Sequence, residues 1–172
     1  MNIKAEKFYS ELKGKKVAFI GAGVSHKQLI EIFAKKGAAV TLCDKKELSG
    51  FGEYAETLKE LGINLSLGEN YLEGLKNQDL IMRTPGFEFF TKELQDEIKN
   101  GTEVASEMEL FFRLCPCKIY AVTGSDGKTT TTSLIAKMLE ESGRKVYLGG
   151  NIGRALLPIA EEVEETDVAV VE

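Results

Sequence analysis

The sequence predicts an α/β protein built on parallel sheets, and three observations predict it. Short β-branched runs alternate along the 172 residues with helical stretches of about a dozen residues, the pattern of βαβ units. Two of these runs empty into glycine turns that open a helix, Gly21-Ala22-Gly23 and Gly124-Ser125-Asp126-Gly127. Glycine, at 17 residues, is about 10% of the chain against about 7% in ordinary proteins. The excess falls at the turns near residues 21, 124 and 149, where a backbone is expected to approach phosphate or sugar.

Each element follows from period and punctuation. Residues 3–12 read as an amphipathic helix, and 16–20 (KVAFI) as a strand ending at the first glycine turn. Residues 27–36 form a helix stopped by Gly37, and 38–43 (AAVTLC) a strand ending on Asp44. A helix over 53–61 stops at Gly62, followed by short strands at 63–67 and 80–82. The second of these runs into Arg83-Thr84-Pro85-Gly86, a turn by its proline and glycine chemistry. Residues 90–99 are a helix closed by Asn100-Gly101, 103–105 an edge strand, and 107–114 helical. After Cys115-Pro116-Cys117 the alternation starts afresh: strand 118–123, loop 124–127, helix 129–142, strand 145–148, glycine loop 149–153, helix 155–165 and strand 167–171. A chain closing on an apolar strand is expected to leave an unfinished sheet edge.

Composition narrows the function. There are 22 Lys and Arg against 27 Asp and Glu, a net charge of −5 with no long basic run. That gives no electrostatic footprint for nucleic acid or anionic lipid. No apolar run approaches the roughly 18 residues of a membrane span, and the first residues lack a signal-peptide core. The expected location is the cytoplasm. Cys43, Cys115 and Cys117 fit neither a disulfide framework nor a CxxC pair, and read as small packed thiols.

The strongest chemical signal is the run from Thr123 to Thr130, between a buried strand and a helix. Glycines there let backbone N–H groups curl toward a phosphate, and the helix N-terminus adds a positive dipole. Gly124, Ser125, Asp126, Gly127, Lys128, Thr129 and Thr130 would line the phosphates of a nucleotide, with Lys128 reaching the β- and γ-phosphates and Thr129 ligating Mg²⁺. The loop departs from GxxxxGK[ST], because Val122 stands where the first glycine would be. Glu172 ends an apolar strand as a second acid for Mg²⁺. The first turn, residues 21–26, resembles a dinucleotide fingerprint with His26 in the third glycine position. His26 reads as a packed or capping side chain ahead of a catalytic base, and Asp44 as a ribose contact or a capping acid.

Four segments resemble the ATP-dependent Mur ligases, which build the stem peptide of peptidoglycan. They are GAGVSH at 21–26, RTPGF at 83–87, TGSDGKTTTT at 123–132 and GGNIG at 149–153 followed by DVAVVE. The resemblance implies a Rossmann-like uridine-nucleotide domain over residues 1–104 and a truncated P-loop ATPase-type α/β domain over 105–172. It implies that Val24, Ser25, Asp44, Lys45, Thr84, Pro85 and Gly86 line the uridine pocket, that Asn151 reaches the muramoyl substrate, that Lys128 and Glu172 are catalytic, and that Thr129 and Glu172 hold magnesium.

The implied reaction makes an acyl phosphate from ATP and UDP-N-acetylmuramoyl-L-alanine, which D-glutamate then attacks through its amino group. The family enzymes continue well past Glu172, so the chain is expected to be an amino-terminal portion without turnover of its own. Three alternatives stay open. One is another Mur ligase or a folylpolyglutamate synthetase, which shares TGxxGKT. Another is a nucleotide-sensing module holding NAD at the first glycine turn. The last is an interaction domain without ligand.

Overall fold

The computed structural model describes residues 2–172, which fall into two compact units: Tyr9–Glu107, and the segment through Phe8 together with Met108–Glu172. Helix α1 (Ile3–Glu11) begins in one unit and ends in the other.

The unit Tyr9–Glu107 holds a parallel sheet of five strands, β1 (Lys16–Ile20), β2 (Ala39–Asp44), β3 (Asn64–Leu67), β4 (Leu80–Arg83) and β5 (Glu103–Ser106), in the order β3-β2-β1-β4-β5. Val17, Ala18, Phe19 and Ile20 of β1 are all buried, as befits a central strand covered on both faces. Helices α2 (Val24–Lys35), α3 (Tyr54–Glu60) and α4 (Lys92–Lys99) connect the strands. On one face Phe19, Phe33 and Tyr9 pack edge to face, with centroids 5.3 Å and 6.1 Å apart. On the other, Ile20, Cys43, Ile81 and Leu94 meet Tyr71 and Leu75 of a 3₁₀ segment, Tyr71–Leu75. The chain runs outward from β1 through β2 to β3, then returns across β1 to β4 and β5. This makes a topological switch point between β1 and β4, and a crevice beyond their carboxyl ends is where open α/β sheets take ligands.

The unit containing residues 108–172 has helix α5 (Glu107–Leu114) at its boundary and a parallel sheet of three strands, β6 (Lys118–Ala121), β7 (Val146–Gly149) and β8 (Val168–Val171), with α6 (Lys128–Glu141) packed on it. The order is β6-β8-β7, so the last strand is the central one and all four of its residues are buried. The edges of this sheet are therefore β6 and β7. Asn2 starts α1, its Oδ1 accepting from Ala5 N–H (3.2 Å) while its amide donates to the carbonyls of Leu114 and Ala160 (2.9 and 2.8 Å).

Three local expectations also shift. Helix α2 starts at Val24 rather than residue 27, because Lys27 N–H already bonds Gly23 carbonyl (2.9 Å). Short 3₁₀ segments form at Leu48–Phe51 and Tyr71–Leu75, where no element was expected. The expected helix over 155–165 is a 3₁₀ segment, Leu157–Glu162, with Pro158 near its start. Pro158 has no N–H to give, and Leu156, Leu157, Ala160 and Val163 are drawn fully into the core.

Candidate functional site

The phosphate-loop residues lie between β6 and α6. Gly124 (φ +152°) and Gly127 (φ +72°) take conformations that side chains resist, and a Cβ at Gly127 would meet only open space. The left-handed Gly127 turns the chain into α6, whose first hydrogen bond runs from Thr131 N–H to the Gly127 carbonyl (2.9 Å). The N–H groups of Lys128, Thr129 and Thr130 precede that bond and have no acceptor within the helix. Lys128 Nζ donates to the Ser125 carbonyl (3.3 Å), folding the ammonium over the loop, while Asp126 and Thr130 are exposed. Sequence reasoning missed Thr132: fully buried, it bonds the Lys128 carbonyl (2.8 Å) and seats the first turn of α6.

Glu172, beyond the end of β8, is brought to the same place. Thr129 Oγ1 donates to its Oε2 at 2.7 Å, so a hydroxyl and a carboxylate converge at the mouth of α6. The loop 149–153 supports it from below. Glu172 N–H donates to the Gly149 carbonyl (3.1 Å), and Asn151 N–H to the Glu172 carbonyl (3.4 Å). Gly150, at φ +100°, lies so close that a Cβ would fall 2.9 Å from Glu172 N and nearer still to its carbonyl oxygen. The glycines near 149 also serve the fold directly. They let the chain pass its own strand end and Leu148 and Leu156. The Asn151 side chain remains exposed.

In the unit Tyr9–Glu107, Gly21, Asp44 and Thr84 meet at the carboxyl ends of β1, β2 and β4. A Cβ at Gly21 would lie 3.9 Å from both Asp44 Oδ2 and Thr84 Cγ2. Asp44 acts on backbone: Oδ2 accepts from Ala22 N–H (3.2 Å) and Oδ1 from Lys46 N–H (2.9 Å). Val24 is 87% exposed at the first position of α2, with Ser25 beside it. Thr84, Pro85 and Gly86 form a turn closed by Phe87 N–H on the Thr84 carbonyl (3.1 Å), and Lys45 Nζ lies 6.0 Å above the Tyr71 ring.

His26 is packed, 1% exposed, with Nδ1 2.8 Å from the Gly21 carbonyl. Burial lowers its pKa below the ordinary 6.5, against the carbonyls of Gly21, Ile20 and Arg83, which favour the proton. The folded state therefore binds this proton less tightly than the unfolded chain. The stability His26 contributes is complete above 6.5 and is lost as pH falls below it. The melting temperature is expected to drop between about pH 7.5 and about pH 5.5, with a shallower slope in His26→Asn.

The fold and these sites define a class: parallel α/β units that each place a glycine turn at a strand's carboxyl end. Residues 15–106 match the family model described as the Mur ligase MurD-like N-terminal domain, and 122–172 the Mur ligase middle domain. The chain belongs to the Mur ligase family. It is 49% identical over all its residues to UDP-N-acetylmuramoylalanine--D-glutamate ligase of Acetivibrio thermocellus and 42% to that of Clostridium botulinum. It spans 37% and 38% of those two proteins. In fold it is similar to UDP-N-acetylmuramate:L-alanyl-gamma-D-glutamyl-meso-diaminopimelate ligase from Neisseria meningitides (TM-score 0.52, 22% identity, 92% of this chain and 52% of that one). Among the described residues no helix is long and apolar enough to cross a membrane, and the three cysteines are free and buried.

Proposed function

We propose that this chain supplies the substrate-nucleotide domain and the opening of the ATPase domain of a cytoplasmic D-glutamate-adding Mur ligase. ATP would phosphorylate the carboxylate of UDP-N-acetylmuramoyl-L-alanine, and the amino group of D-glutamate would displace the phosphate. The observation that carries the phosphoryl-transfer reading is the convergence of Thr129 Oγ1 and Glu172 Oε2, 2.7 Å apart, at the N-terminus of α6. Two oxygen ligands from the protein, with the remainder from phosphate and water, suit Mg²⁺, which keeps several waters. When bound there, Mg²⁺ would neutralise charge on the phosphates. Lys128 and the N–H groups of residues 124–130 would hold those phosphates in line, and positioning with charge neutralisation is most of what phosphoryl transfer needs. The identity to the D-glutamate ligases supports the substrate pair.

The uridine nucleotide would occupy the crevice of the unit Tyr9–Glu107, with its diphosphate at the N-terminus of α2 between Val24, Ser25 and Thr84-Pro85-Gly86. Asp44 and Lys45 would border its ribose, and Asn151 would reach the muramoyl group. A thermal shift tests this. UDP-N-acetylmuramoyl-L-alanine at a hundred times its dissociation constant is expected to raise the melting temperature by about 5–10 °C, and NAD and folates to leave it unchanged. Asp44→Ala should remove most of that shift. A shift produced by NAD instead, or none with the muramoyl nucleotide, would sink the reading.

A further inference from the structure

We propose that His26 is a positioning residue for the substrate's diphosphate: its imidazole holds the Gly21–Gly23 turn so that the first N–H groups of α2 face the crevice. The inference rests on the reading that a uridine diphosphate binds there.

In the GxGxxG pattern the third glycine lets the helix lie directly on the strand. Here that place holds a ring, 1% exposed, standing edge-on to Phe19 of β1 with centroids 5.2 Å apart and planes at 83°. Space that glycine would leave for close packing is filled by imidazole, and a directed bond replaces the lost contact. The Gly21 carbonyl can only accept, so the 2.8 Å contact places the hydrogen on Nδ1. The turn is thereby held from three directions. Gly21 N–H donates to the Cys43 carbonyl (2.8 Å), Ala22 N–H donates to Asp44 Oδ2 (3.2 Å), and the Gly21 carbonyl accepts from His26.

What these bonds fix is the start of α2. Gly23 caps the helix in an extended conformation with no side-chain cap, and the N–H groups of Val24 and Ser25 precede the first helical hydrogen bond. A Cβ at Gly23 would meet nothing within 4 Å, so the backbone there is open to an approaching group. Helix N-termini bind anions through such N–H groups. Their direction depends on the Gly21–Gly23 backbone, and His26 is the only side chain of α2 shown bonded to it.

Two substitutions separate a directed bond from mere filling of space. His26→Phe keeps a ring and loses the donor, whereas His26→Asn keeps an N–H near the Nδ1 position and loses bulk. Calorimetry with UDP-N-acetylmuramoyl-L-alanine is expected to show His26→Phe about tenfold weaker and His26→Asn within about threefold of the parent. Phe binding like the parent, or Asn as weak as Phe, would overturn the proposal. His26 is the sole histidine in the chain, so its ¹⁵N resonances need no assignment. The parent protein at neutral pH should show a protonated Nδ1, the hydrogen that the Gly21 carbonyl accepts. The opposite tautomer would overturn the proposal even if neither variant folds. Absence of nucleotide binding by the parent would remove the ligand reading, while the tautomer would still report whether the bond to Gly21 exists.

Discussion

Replacing Lys128 with alanine is expected to weaken binding of ATP with Mg²⁺ by about a hundredfold or more, since a charge-assisted contact to phosphate would be lost outright. The substitution should leave the fold intact: among the described residues the ammonium donates to the Ser125 carbonyl, an exposed contact. The backbone N–H groups of the loop would stay in place, so residual binding reports their share. Calorimetry on the parent and variant measures the loss. In a full-length enzyme of this family carrying the same change, ADP release with muramoyl substrate and D-glutamate should fall by at least as much. An unchanged ATP affinity would remove Lys128 from the phosphate-binding role.

Gly150→Ala is expected to cost about 2–4 kcal/mol, lowering the melting temperature by about 6–12 °C. Two terms add. The backbone at φ +100° resists any L side chain, and the new methyl would press on the backbone of Glu172, which cannot swing aside as a side chain could. Gly143→Ala separates them. Gly143 also has positive φ, +85°, but a Cβ there meets nothing within 4 Å, so only the conformational term applies, about 1 kcal/mol. Equal losses in the two variants would refute close packing against Glu172. Because Glu172 accepts from Thr129, Gly150→Ala should also weaken Mg²⁺-dependent ATP binding, which Gly143→Ala should leave alone.

The alternation of strands and helices was legible because the central strands of a covered parallel sheet are short apolar runs, and β1 and β8 have no polar face to confuse the reading. What misled was spacing without context. Leu156, Leu157, Ala160 and Val163 stand at helical intervals, yet Leu157–Glu162 winds as a 3₁₀ segment with all four side chains buried. Strand order was not legible at all, since nothing local in Val168–Val171 says that it pairs on both sides. The phosphate loop could be read because its geometry is local, within a few residues of Gly124 and Gly127. Thr129 and Glu172 could each be read as a magnesium ligand from local context, a helix start after a glycine loop and an acid ending an apolar strand, but their 2.7 Å approach across 43 residues belongs to the tertiary fold. The work of the glycines at 149, 150 and 153 was hidden because their neighbours, Leu148, Leu156 and Glu172, are set by the tertiary fold.

The central place of β8 bears on how this unit is made. β6 and β7 do not pair with each other; each takes β8 as its strand partner. As the chain leaves the ribosome, both earlier strands must wait with open backbone until residues 168–171 emerge and slide between them. Lys118 is fifty residues from its partner Val168, so the loop that must close is long and the sheet forms late. Until then α6 lacks the central strand, β8, of the sheet it packs on. The proposed phosphate site would therefore gain the Glu172 carboxylate only when β8 docks between its two neighbours.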